Sequence, residues 1–282
     1  MRIILTILTA CLLALPAAAQ HDHGSHDENG QKPAKGDKAK LVMPTKFGAQ
    51  TTCPISGEEL EDRETYLDYE GHRIYVCCKK CKRKAKAKPE QVVMEMFVQG
   101  ILLENLQTMD PVSGEELETK EHFHQIYNKR IYVNDAKDLE KVSADPARYL
   151  DILGGRTAQE KCAVRGGEID PDADFVIEGM TVGQCCPGCE KKWFAEPAAF
   201  FTKMEEAKVV LEPATMICPL MPGMDGSKAY PVTLGAKRYY LCSEKAAVMF
   251  VRDTGKYLPK WYAAQAKATG MVSASGGGHD HH

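Results

Sequence analysis

Ten cysteines lie beyond residue 19, and their spacing suits soft-metal or disulfide chemistry. Cys53 is followed 24 residues later by Cys77, with Cys78 and Cys81 close behind. Cys162 is followed 23 residues later by Cys185, with Cys186 and Cys189 close behind, and Cys218 and Cys242 are again 24 apart. A thiol in a turn and a cluster at a strand-to-helix junction can converge on one thiophilic ion. The helix dipole and the nearby Lys79, Lys80 and Lys82 are expected to favour thiolates at Cys78 and Cys81. Sulfur donors select copper(I), zinc or similar ions over calcium or magnesium. Two rival readings stay open. The even counts of four, four and two also suit disulfides within each cluster. Cys78-Lys79-Lys80-Cys81 and Cys186-Pro187-Gly188-Cys189 have the spacing of thiol oxidoreductases, though without βαβ surroundings.

The elements that must position these thiols recur four times. Thr52-Cys53-Pro54-Ile55-Ser56-Gly57-Glu58-Glu59-Leu60 returns as Met109-Asp110-Pro111-Val112-Ser113-Gly114-Glu115-Glu116-Leu117. Arg73-Ile74-Tyr75-Val76 returns as Arg130-Ile131-Tyr132-Val133 and as Arg238-Tyr239-Tyr240-Leu241. From the opening position to the end of the second strand the copies measure 24, 24, 23 and 24 residues. From Cys81 to Pro89, Asp138 to Pro146 and Cys189 to Pro197 there are 8 residues; Ala246 to Thr254 keeps the length without the proline. Each copy reads as a Cys-Pro-type turn, a hairpin, a helix broken at the proline, and a second helical stretch. In the first copy the strands fall near 65–70 and 73–77, and the apolar stretch 91–106 follows. A unit of about 45 residues holds too little core alone, so a metal, disulfides or its neighbours must complete it. The helices after the prolines are expected to form the interfaces. Copy two has no cysteine: Asp110, Asn134, Asp135 and Asp138 hold the four positions.

The chain of 282 residues carries a net charge of -3, which argues against a nucleic-acid partner. Arg2, the apolar run from Ile3 to Leu15 and Ala17-Ala18-Ala19 read as a secretory signal peptide. A periplasmic or secreted protein starting at Gln20 is expected, and lipidation at Cys11 is the lesser alternative. No further segment is apolar enough for membrane insertion. His21, His23 and His26 near the start, and His279, His281 and His282 at the end, suit weak collection of copper(II), zinc or nickel. His72 and Met180 follow the hairpin glycines. About 16 Å of strand separates each from its cysteine cluster, so both read as exposed turn residues rather than ligands. His122 and His124 read as solvated, Trp193 and Trp261 as packing, and the basic helix around Lys79–Lys88 as a solvated face. Met216, Met221 and Met224 flank Cys218 and suit copper(I), although methionine more often fills gaps. No phosphate loop, nucleophilic serine motif or paired-carboxylate site is present.

Cys53-Pro54-Ile55-Ser56-Gly57, then Gly71-His72-Arg73-Ile74-Tyr75-Val76-Cys77-Cys78-x-x-Cys81, then Lys88-Pro89-Glu90-Gln91 resemble the YHS domain and its relative, the TRASH domain. The resemblance spans roughly residues 50–265 as four units. It implies small treble-clef-like modules associated with heavy metals, copper above all. It also implies ligands at Cys53, Cys77 and Cys81 and, by position, at Cys162, Cys185 and Cys189. Cys78 and Cys186 are extra to that pattern, copy two departs from it, and copy four lacks its third cysteine.

The expected fold is α+β: four tandem ββα units between His-rich ends. The boundaries are 1–19 (signal peptide), 20–48 (linker), 49–106, 107–157, 158–212 and 213–266 (repeats one to four), and 267–282 (tail). The expected function is binding, buffering or trafficking of copper or zinc by a non-catalytic exported protein. A metal transporter or another exported protein is the expected partner. The alternatives are a disulfide-stapled interaction protein and a thiol-disulfide oxidoreductase.

Overall fold

A computed structural model describes residues 41–270, and the expectations for the signal peptide and both histidine clusters lie outside them. Within those residues the chain is α+β, with small antiparallel sheets and short helices. Repeat one contains β1 (Tyr66–Tyr69), β2 (His72–Tyr75), α1 (Lys79–Ala87), α2 (Pro89–Val98) and β3 (Glu104–Asn105). Repeat two contains β4 (His122–Ile126), β5 (Lys129–Val133), a 3-10 turn at Ala136–Asp138, α3 (Leu139–Ala144) and α4 (Pro146–Gly154), with β6 (Thr157–Ala158) after it. Repeat three contains β7 (Asp170–Ile177), β8 (Met180–Gln184), a 3-10 turn at Pro187–Cys189, α5 (Glu190–Ala195) and α6 (Pro197–Glu206), followed by β9 (Val209–Val210). Repeat four contains β10 (Pro231–Leu234), β11 (Lys237–Tyr240), α7 (Glu244–Arg252) and α8 (Thr254–Thr269).

The kink between the paired helices has a local cause. Pro89, Pro146 and Pro197 each open their helix, where a missing N–H costs nothing. The residues before them, Lys88, Asp145 and Glu196, leave helical geometry at φ -146, -149 and -139. Repeat four lacks the proline yet keeps the kink. Asp253 takes φ -146, and its carboxylate accepts the Lys256 N–H at 3.2 Å.

The apolar stretch expected to run helically over 91–106 stops early. Helix α2 ends at Val98, Gly100 turns the chain at φ 71, and β3 pairs back onto β2. His72 and Met180 were expected in exposed turns, and both are fully buried. The hairpin tips are not free loops but the places where repeats meet. His72 Nδ1–H donates to the Glu70 carbonyl at 2.7 Å, and its Nε2 accepts the Arg130 N–H at 3.1 Å. Burial lowers the His72 pKa to about 4, so the ring is neutral. His122 and His124 are half-buried rather than solvated.

The repeats meet two by two. Glu70 at the first hairpin tip accepts Lys129 of repeat two, and Glu178 at the third accepts Lys237 of repeat four, 59 residues apart in each case. A Cβ on Gly71 would stand 2.7 Å from Leu153, and one on Gly179 would stand 2.6 Å from Trp261. Both glycines have positive φ, and both pairs are 82 residues apart in sequence. Repeats one and two thus form a pair that three and four repeat. Parallel β6 and β9 join the two pairs, with Arg238–Asp151 and Arg252–Glu95 as further ties. The post-proline helices supply only part of these contacts: α2 packs on α7 and pairs through Glu95, while Glu70 and Glu178 at the hairpin tips carry further ion pairs.

One apolar core runs from Met94 and Phe97 of repeat one through repeats two and three to Trp261 of repeat four. Trp193 packs within repeat three against Phe175, Phe200 and Phe201, whereas Trp261 bridges repeats. A second cluster, confined to repeat one, surrounds Cys53 and Cys81 with Ile74, Val76 and Val93. No helix among the described residues is long and apolar enough to cross a membrane.

Candidate metal centres

Each opening turn is a knuckle closed by its own backbone. Cys53 N–H donates to Glu58 O and Gly57 N–H to Cys53 O, both at 2.8 Å, with Gly57 at φ 79. Repeat three closes the same way through Cys162, Gly166 and Gly167, and repeat two through Asp110, Gly114 and Glu115. Three residues before each opening position stands a glutamine that clamps the knuckle to the second strand. The Gln50 amide accepts the Tyr75 N–H at 2.9 Å and donates to its carbonyl. Gln107 does the same to Tyr132, and Gln159 to Gly183. Repeat four has Thr215 at this place, and Gln265 of α8 reaches back to satisfy it. Sequence reasoning missed these glutamines, although superposing the copies shows them at matching places.

The knuckle and the strand end bring three thiols together twice. Ligand atoms of Cys53, Cys77 and Cys81 lie within 4.8 Å of one another, and so do those of Cys162, Cys185 and Cys189. In both triads the first and third cysteines are buried and the middle one is half-exposed. Cys77 and Cys81 sulfurs are 3.6 Å apart, and Cys185 and Cys189 sulfurs 3.8 Å. A disulfide needs about 2.05 Å, whereas sulfurs about 2.3 Å from one tetrahedral ion stand about 3.8 Å apart. The donor set therefore fits a soft cation.

The fourth sulfur lies outside the triad in both repeats. Cys186 Sγ is 3.7 Å from Cys189 Sγ, and Cys78, at the start of α1, is exposed. Cys218 is buried and Cys242 half-buried. Ala246 occupies the third position of that repeat, so no triad forms there. Met221 and Met224 beside it are exposed, and Met216 is half-buried.

The acidic thiol is not where the helix dipole alone would put it. Burial pushes Cys53 up, but the Ser56 hydroxyl and the amides of Cys77, Ser56 and Ile55 bring it down to about 7. Burial likewise opposes the amides of Cys185, Arg165 and Val164 around Cys162, which also falls to about 7. Cys81 moves the other way: burial pushes its thiol up, as it does Cys189, which reaches about 12. Only Cys78, lowered by the Cys81 amide and thiol, follows the expectation for the helix start. Backbone N–H groups, joined by the Ser56 hydroxyl in repeat one, lower the first sulfur.

Repeat two fills the same nest with carboxylate. Asp110 Oδ1 accepts Val112 N–H at 2.7 Å and Ser113 N–H at 3.3 Å, and Oδ2 accepts Asn134 N–H at 2.7 Å. These amides occupy the positions of those around Cys53 and Cys162. Asn134 then spends its own amide on Glu118 and Glu116, and Asp138 pairs with Lys141 at 2.7 Å. No side chain there is left for a cation. No family model, curated protein or solved structure matches this chain.

Proposed function

We propose that this protein is an exported, non-catalytic carrier or buffer of a soft metal, copper(I) or zinc, held by cysteine thiolates in repeats one and three. The observation that carries the reading is the pair of buried sulfur triads, built by the same turn and strand end in two repeats. The resemblance to YHS and TRASH modules supports it from the motifs, including the treble-clef-like character of each unit. The leader-like residues 1–19 support passage out of the cytoplasm, and a metal transporter or another exported protein is the partner that role requires. Cys218 and Cys242 offer two sulfurs, enough for low-coordinate copper(I) but two short of zinc's usual four ligands.

Replacing Cys81 and Cys189 together by serine tests the reading. Tight metal content should fall from two ions per chain to none, while Asp138→Ala leaves it unchanged. A double variant that holds as much metal as its parent overturns the proposal.

A further inference from the structure

The residue opening the cysteine-side helix differs among the four repeats in a way that tracks the triads. Asp135 and Ser243, in the repeats without a triad, cap conventionally: Asp135 accepts the Lys137 N–H at 2.9 Å and Ser243 the Ala246 N–H at 3.2 Å. Cys78 and Cys186 hold extended backbone at the same place, φ -163 and -172, and make no side-chain cap. Sulfur is a weak acceptor, so a thiol here forgoes a bond that serine or aspartate makes readily. The two repeats that carry a triad are the two that forgo it.

What the thiol gains is position. Cys53 and Cys81 are 1% and 7% exposed, so a metal in the first triad is shut off from a large partner on that side. Cys78 is exposed, follows Cys77 in the chain and opens the helix that carries Cys81. Cys186 lies as near Cys189, at 3.7 Å, as Cys185 does at 3.8 Å. In repeat three the fourth sulfur is thus within reach of an ion bound in the triad, and Cys78 holds the matching, exposed place in repeat one.

Resting on the metal-carrier reading, we propose that Cys78 and Cys186 are exchange ligands, through which a soft ion passes between a thiol-bearing carrier and the buried triads. In the first step the Cys78 sulfur bonds the metal as one carrier sulfur leaves, and the Cys78 proton goes to that departing thiolate. In the second, a triad sulfur bonds the metal as the last carrier sulfur leaves with that triad thiol's proton. In the third, another triad sulfur displaces Cys78 from the metal, and its proton returns to the Cys78 thiolate. The metal keeps its oxidation state throughout. In repeat one the partner meets Lys79, Lys80, Lys82 and Arg83, all exposed and without an acidic partner among the described residues. An anionic thiol carrier fits that surface.

The test uses the full chain under anaerobic conditions, with copper(I) supplied as its glutathione complex and uptake followed by thiolate-to-copper absorption. The Cys78→Ser/Cys186→Ser variant should fold, because serine restores the cap that Ser243 makes, and its apo melting temperature should rise. Its final copper content in the triads should equal the parent's, while uptake slows by about tenfold or more. Unchanged uptake makes the two thiols bystanders, and loss of copper from the triads makes them resident ligands; either overturns the proposal. A parent that takes up no copper fails the carrier reading itself, before any variant is compared.

Discussion

Repeats one and two build the same nest of backbone amides and put different anions in it. In repeat two the occupant is the Asp110 carboxylate, bonded to three N–H groups. In repeat one it is the Cys53 sulfur, whose charge depends on losing a proton near neutrality. A carboxylate that accepts three backbone N–H groups finishes the repeat on its own. A thiol leaves it half-finished, and under the proposed function a soft cation would complete it by drawing the proton off and tying the knuckle to Cys77 and Cys81. Repeat two is thus the structural version of a site that in repeat one is conditional on metal.

The strongest way to break this comparison is to exchange the occupants. Asp110→Cys combined with Asn134→Cys and Asp138→Cys should give repeat two a triad and raise zinc content by one ion per chain, read by elemental analysis. The converse change, Cys53→Asp with Cys77→Asn and Cys81→Asp, should remove one ion and leave a folded repeat. Zinc loading of the parent should then stabilise it by about 4 kcal/mol per site when free zinc exceeds the dissociation constant about 1,000-fold, measured by denaturant unfolding. Removing the carboxylate by Asp110→Ala leaves three part-buried amides without their acceptor and should cost about 1–3 kcal/mol without changing metal content.

The pH dependence sharpens the contrast. Cys53 and Cys162 fall from the ordinary 9.0 to about 7. Their contribution to apo stability is present above pH 9 and lost as pH falls through 7. Cys81, Cys185 and Cys189 are raised by burial, so their contribution is present below pH 9 and lost above it. Apo stability should rise between pH 7 and 9 and fall beyond, and Cys53→Asp with Cys162→Asp should flatten the rising limb. The smallest effect is at the helix start, where Cys78→Ser should add about 0.5–1 kcal/mol to the apo protein through its cap.

The repeats and triads were legible in the sequence because knuckle, hairpin and kink have fixed local lengths, and those lengths recur. The substitution of aspartate for Cys53 at Asp110 was legible too, but its meaning was not. Only the structure shows that both side chains face amides, which is why acidic thiols were expected at Cys78 and Cys81, while the structure lowers Cys78 and Cys53 and raises Cys81. Burial of His72 and Met180 was hidden for a different reason. Strand alternation says which face a residue takes, not whether a hairpin tip meets water or another repeat. The pairing of one with two and three with four depends on Glu70–Lys129 and Glu178–Lys237, contacts that no local pattern encodes.

Metal and thiol content of the parent, recovered from an oxidising compartment and purified anaerobically, tests the central claim most directly. The account predicts two soft ions per chain, with a third only for copper(I), and ten free thiols once the metal is chelated in denaturant. A metal-free protein whose cysteines are already paired as disulfides would contradict it.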